Sequence, residues 1–147
     1  MLFRSIFSAQ QLFSDDQAIT ASADSTNVID LGVAGTPFDA AAALNQDVGK
    51  GNKIPLLVQV TEAFDNLTSL EIKVSTGATT ALGTTVISQT ILLADLVVGK
   101  KIALEVLPND ITERYLGIEY VVTGTAPTTG KVTAGIVMGV QTNITGA

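Results

Sequence analysis

The chain contains no histidine, no cysteine and no tryptophan. Without His or Cys there is no Ser-His-Asp or Cys-His nucleophilic site, and the commonest general base is missing. The absence of Cys also removes disulfides, thiolate catalysis and zinc–thiolate centres, and leaves the redox compartment open. Charge is scarce as well: charged residues are 15% of the chain, against ~25% in ordinary soluble domains. Fourteen acids face eight bases, for a formal charge of −6. A phosphate-binding surface needs clustered bases, and the pair Lys100-Lys101 is too small to be one, so nucleic acid is not an expected partner. No run approaches the ~18 consecutive apolar residues of a membrane span. The start, Met1-Leu2-Phe3-Arg4-Ser5-Ile6-Phe7, is too interrupted to read as a secretion signal, whose apolar region runs about 7–15 residues.

What the chain does have is β-branched and aliphatic residues in short runs. Hydrophobic residues are 46% of its 147 positions, and the mean hydropathy is +0.42. A single domain of this length buries roughly 70% of its unfolded surface. Eight runs read as strands: 17–20, 26–31, 56–61, 70–75, 86–92, 102–107, 115–122 and 132–140. The clearest is Leu70-Glu71-Ile72-Lys73-Val74-Ser75, whose strict alternation predicts one buried and one wet face. Pro55 precedes the third run, where a missing N–H is tolerated. Gly117, Gly135 and Gly139 inside later runs predict bulges or close backbone approaches. No helical pattern long enough for a crossover separates the runs, and no fixed repeat recurs. The expected architecture is all-β, an antiparallel eight-stranded sandwich or barrel.

Two stretches stand outside this pattern. Residues 1–16 are apolar and hold three of the five Phe, at Phe3, Phe7 and Phe13. They read either as an arm packed on a neighbouring subunit, extended or as a short amphipathic helix, or as a plug of the chain's own core. On the arm reading Phe3, Ile6, Phe7 and Phe13 are the candidate partner contacts, and deleting residues 1–13 is expected to leave the sandwich folded. Residues 32–53 form one long irregular loop with Gly32, Gly35, Pro37, Gly49 and Gly51, and its Ala40-Ala41-Ala42-Ala43 run could make one helical turn. Long structureless loops in compact domains are commonly functional, so this one is a second candidate contact, and the tail 141–147 a third.

Paired carboxylates are the remaining route to chemistry. Asp15 and Asp16 are adjacent and would point apart in a strand. Glu71, Glu105 and Glu119 lie in separate strands and read as solvated or interface side chains. Asp24-Ser25-Thr26 misses the aspartic-protease signature at its third position, and no phosphate loop or EF-hand pattern occurs. The triplets Asn66-Leu67-Thr68 and Asn143-Ile144-Thr145 read as turn chemistry. No catalytic residue, cofactor site or metal site is therefore assigned, and the chain is not expected to be an enzyme.

Four pieces carry a family likeness: Gln11-Leu12-Phe13-Ser14-Asp15-Asp16-Gln17-Ala18-Ile19-Thr20, Ala23-Asp24-Ser25-Thr26-Asn27-Val28-Ile29-Asp30-Leu31-Gly32, Ile54-Pro55-Leu56-Leu57-Val58-Gln59-Val60 and Arg114-Tyr115-Leu116-Gly117-Ile118-Glu119-Tyr120. They resemble the capsid cement, or decoration, proteins of tailed phages, of the kind described from a short-tailed Bordetella phage. The resemblance implies a jelly-roll fold and a structural role on the virion. Such a protein binds the outer capsid surface, fastens neighbouring copies of the major capsid protein and works as a homo-oligomer, a homodimer or alternatively a homotrimer. No membrane or nucleic-acid partner is implied. Composition agrees with a surface covered by partners, since a chain this poor in charge has little with which to hydrate a lone domain. The alternative reading is a carbohydrate- or receptor-binding jelly-roll module, which the low aromatic content, 5%, disfavours. A small hydrolase on a cupin-like scaffold ranks last, because cupin metal sites usually use His.

Overall fold

The structure, a computed structural model, describes residues 7–44, 53–106 and 111–138. Nine strands run through them: β1 (Phe7–Ala18), β2 (Ala23–Asp24), β3 (Ile29–Asp30), β4 (Ile54–Glu62), β5 (Leu67–Gly77), β6 (Thr84–Leu92), β7 (Lys101–Val106), β8 (Tyr115–Gly124) and β9 (Lys131–Val137). A single 3-10 turn, Leu93–Asp95, follows β6. The strands form two sheets, one in the order β1-β9-β4-β7 and one in the order β2-β8-β5-β6, with β3 also pairing β8. Every pairing is antiparallel. The chain is all-β, as expected.

The alternation read from sequence decides which side chains meet between the sheets. In β5, Leu70, Ile72 and Val74 are fully buried, while Glu71 and Lys73 lie on the outer face. Leu116, Ile118 and Tyr120 of β8 and Leu56, Val58 and Val60 of β4 fill the same core. Burying a side chain of this size contributes about 1.5–3 kcal/mol, so these three strands supply much of the driving force. Leu57 is buried too but stands outside the core cluster, on the opposite face of its strand and beside Gly135 in register. There a Cβ at Gly135 would come within 3.0 Å of the Phe7 ring and 3.1 Å of Leu12. Gly117 is a close approach of the same kind, where a Cβ would fall 2.5 Å from Leu82. Both glycines match the expectation; Gly139 lies outside the described residues.

The N-terminal stretch departs from the expected arm. From Phe7 on it is a strand of the chain's own sheet, paired with β9 from Phe7 opposite Val137 to Ala18 opposite Lys131. Phe13 is fully buried within the core cluster, and its carbonyl accepts from the Asn27 N–H at 2.9 Å. It plugs the core and offers a partner nothing. The strand was hidden in sequence because three register shifts interrupt its pairing with β9 and scramble the period of two. Of the run expected at 17–20 only Gln17 and Ala18 are strand, the end of β1, and that at 26–31 shrinks to the two residues of β3. The Ala40-Ala43 run makes no helical turn: it bends at Ala41-Ala42, just after a turn at Phe38-Asp39 that the Ala40 N–H closes on the Pro37 carbonyl at 3.0 Å.

A polar thread fastens β1 to the other sheet. Ser14 Oγ donates to Gln17 Oε1 at 2.7 Å, leaving the Tyr120 hydroxyl to donate to Ser14 Oγ at 2.8 Å. Gln17 Nε2 in turn donates to the Asp24 carbonyl at 2.8 Å. Burial pushes the Tyr120 phenol well above its ordinary value, with the Ser14 bond opposing only part of the shift. Ser14→Ala would strand a buried hydroxyl and is expected to cost about 1–3 kcal/mol, whereas Tyr120→Phe leaves Ser14 bonded to Gln17 and is expected to cost about 1 kcal/mol. Phe13→Ala is expected to cost about 3–5 kcal/mol, so deleting residues 1–13 unfolds the sandwich instead of merely freeing an arm. Urea titrations of the three point variants and the deletion check this; a Phe13→Ala cost under about 1 kcal/mol would mean the ring is not a core residue.

Candidate contact surface

Asp30 ends β3, and the Arg114 guanidinium grips its carboxylate with both prongs: Nε donates to Oδ1 at 2.8 Å and Nη2 to Oδ2 at 2.7 Å. The Gly32 N–H donates to the same Oδ1 at 2.8 Å, and the Leu31 N–H to the Arg114 carbonyl at 2.8 Å. Gly32 sits at φ 89°, a left-handed conformation that suits glycine. Arg114 also stacks over the Tyr115 ring, 5.0 Å from its centroid. These contacts turn the chain sharply off the five-stranded sheet.

The loop beyond is closed a second time by the Leu44 N–H on the Gly35 carbonyl at 3.0 Å. At its tip Asp39 adopts φ 62° in the turn after Phe38. Three large apolar side chains stand out into solvent from this closed loop: Val33 at 77% exposure, Phe38 at 104% and Leu44 at 61%. An aromatic ring with no contact to its own chain, carried on a loop fixed at its base, has the character of an interface anchor. The sequence singled out this loop by its length and not Phe38 by name. Residues 45–52 of the loop lie outside the described residues.

A second apolar patch adjoins the 3-10 turn, where Leu92, Val97 and Val98 are exposed. Met138, just past β9, is exposed as well. Of the residues expected as contacts, Phe7 is half-buried at the start of β1 and Phe13 is core. Phe3 and Ile6, like the tail 141–147, lie outside the described residues.

The carboxylates are scattered into separate, local tasks. Asp16, at φ 48°, accepts from Thr61 Oγ1 at 2.7 Å and faces Lys131 at 3.5 Å. The Thr61 bond first, and Lys131 after it, hold its carboxyl below the usual range. Asp15 is exposed on β1. Glu71 pairs with Lys73 at 3.6 Å on the outer face of β5, and Glu119 stands opposite Lys73 in register. Glu105 belongs to the other sheet, opposite Pro55. Asp65 accepts from the Thr128 hydroxyl and N–H and from the Thr129 N–H, which fastens the turn before β9 and lowers its carboxyl below the usual range. Asn66 beside it sits at φ 60°, the turn role expected for that triplet.

The Asp30 carboxyl is held at about 2 against an ordinary 3.8, by the Arg114 hydrogen bonds first and the Gly32 N–H second. A carboxylate depressed in the folded state stabilises the fold above its unfolded value and loses that contribution as pH falls through the folded one. The base of the loop is therefore secured above pH 3.8 and released as the pH drops toward about 2. A carbon-detected NMR titration is expected to place the Asp30 midpoint near 2, and Arg114→Ala to raise it toward 3.8. Identical midpoints in both proteins would mean that the fork does not hold the loop.

No curated protein matches this sequence. One family model does, named Bbp16, and it matches residues 13–136. The name points to a Bordetella phage protein. The match begins at the core residue Phe13, runs through the pinned loop and β8, and ends within β9. On that extent the chain belongs to the Bbp16 family.

Proposed function

We propose that this chain is a capsid cement protein, a non-catalytic structural component that binds the outer surface of a phage head and fastens neighbouring major capsid protein subunits. The observation that carries the proposal is the pinned loop, with Val33, Phe38 and Leu44 held out in solvent by contacts at its base. Membership of a phage family supports it. So does the low charge of the chain, which leaves exposed apolar groups for a partner to cover.

The jelly roll belongs to the same reading. Apart from the β5–β6 hairpin, successive strands alternate between sheets, and β2 and β3 pair with one strand, β8, as two pieces of a single interrupted strand. Counted so, the chain has eight strands in two four-stranded sheets, and the connections wind as two Greek keys. This geometry gathers the connections at the sandwich ends, which suits a protein that acts by contact. On a closed shell each contact recurs many times, and linked weak contacts add through effective concentration.

Cementing is expected to depend on Phe38. Phe38→Ser touches nothing in the fold, so its melting temperature should match that of the wild type. Its affinity for stripped heads should fall at least about tenfold, the effect of losing an interface anchor. Co-sedimentation with heads lacking the protein measures this, and thermal release of the genome from bare and re-coated heads measures the stabilisation. Equal stability of bare and coated heads would sink the cement reading; unchanged binding by Phe38→Ser would move the contact elsewhere.

A further inference from the structure

Sheet edges are open templates for pairing with other chains, and proteins normally blunt them with charge, proline, bulges or brevity. Three of the edges here are blunted. β1 carries Asp15 and Asp16 and three register shifts. β2 and β3 are two residues each. β7 bears Lys101 and Glu105 in its sequence. The remaining edge, β6, differs from all of them. It runs nine residues, Thr84–Leu92, with no charge, no proline and no glycine. Its single irregularity is the register shift that leaves Val86 out of the pairing with β5. Among the described residues no strand pairs with its other side.

Its sequence also has a symmetry. Val86-Ile87-Ser88-Gln89-Thr90-Ile91-Leu92 reads the same in chemical class from either end, centred on Gln89. From this edge and this symmetry we infer that β6 is a self-pairing strand, joining two copies of the chain antiparallel about a two-fold axis through Gln89. In that register Ile87 meets the partner's Ile91, Ser88 meets the partner's Thr90, and Gln89 meets the partner's Gln89. Apolar pairs and hydroxyl pairs directly opposite one another are the favourable cross-strand combinations, and a two-fold interface must be self-complementary in this way. An unrelated extended segment would need the open backbone of β6 but not its symmetry.

The faces agree with the register. Ile87, Gln89 and Ile91 are opposite the buried Val74, Ile72 and Leu70 and so point inward. Gln89 is nonetheless exposed, because it looks into an open cleft of about 410 Å³ between β6 and β7, lined by the apolar Ile91, Ile102 and Ala103 and by the charged Asp95, Lys100 and Lys101. A second Gln89 amide arriving there finds both a donor and an acceptor. On the outer face, Ser88 and Thr90 of two copies bring no charge together, although each copy carries −6 overall. Leu92, 60% exposed in the single chain, lies at the end of the paired segment beside the partner's Val86.

The purified protein alone tests this, without capsid, so its failure is distinct from failure of the cement reading. Sedimentation equilibrium is expected to give twice the 15.2 kDa of the chain. Gln89→Lys sets two ammonium groups opposite each other and is expected to weaken association about tenfold or more, with an unchanged circular dichroism spectrum and melt of the monomer. Opposite residues of an antiparallel pair have Cα atoms about 4.5–5.5 Å apart, within the reach of a disulfide. Because the wild type has no cysteine, Gln89→Cys is expected to cross-link into a covalent dimer on mild oxidation, while Val98→Cys, exposed but off the strand, is not. A monomeric wild type, an oligomer insensitive to Gln89→Lys, or equal cross-linking of the two cysteine variants would each overturn the inference.

Discussion

The hydroxyl of Tyr120 is the point on which the two sheets agree. It lies in the centre of β8, fully buried, and meets Ser14 of β1 across the sandwich. A buried phenol without a partner costs more than the bond returns, so β1 can sit only where Ser14 reaches it. That requirement brings Phe13 into the core beside it and sets Gln17 to hold Asp24 and Thr26. The short strands β2 and β3 are then placed along β8, and β3 delivers Asp30 to Arg114. The loop that carries Phe38 thus inherits its position from a polar contact made elsewhere in the core.

How legible all this was in the sequence depends on how local each feature is. β5 announced itself because Leu70, Ile72 and Val74 alternate with Glu71 and Lys73, and a wet outer face imposes that alternation. β4 showed as an apolar run because Leu57 is buried on the second face as well. β1 was obscure for two reasons. Its exposed residues are Ser, Ala, Gln and Asp in an order that follows no period, and its bulges shift which side chain points inward. The partition between core and arm could not be read from the Phe positions, since Phe13 is fixed by Ser14 and Asn27, one of them bonded to a residue 106 positions away. The long loop was visible from composition. Its anchoring was not, because Asp30 and Arg114 stand 84 positions apart and neither is unusual in its own surroundings.

The scarcity of charge takes a specific form in three dimensions. Among the described residues, several charged side chains serve local fastening: Asp16 with Thr61 and Lys131, Asp65 with the turn before β9, Asp30 with Arg114, Glu71 with Lys73. β6 itself carries none of this charge, although Asp95, Lys100 and Lys101 stand across the cleft beside it. Surface ion pairs of this kind add little stability each. Their effect here is geometric, holding turns and loop bases in fixed directions. The proposed contact role calls for that more than for extra stability.

The pinned loop and the open strand also occupy opposite edges of one sheet. In the order β2-β8-β5-β6, with β3 beside β8, the loop leaves from one side and β6 forms the other. Two copies joined through β6 make a continuous sheet eight strands wide. At about 4.8 Å per strand its outer strands lie roughly 34 Å apart, and a Phe38 loop hangs from each. The pairing edge then fixes the span and the loops supply the grip. Such a pair holds two points of a surface at a set separation, and its resistance to their moving apart comes from main-chain hydrogen bonds through both sheets. A single copy with the same loop binds without bridging. In the proposed cement role, fastening, as distinct from binding, depends on the one edge of the sandwich that carries neither charge nor proline.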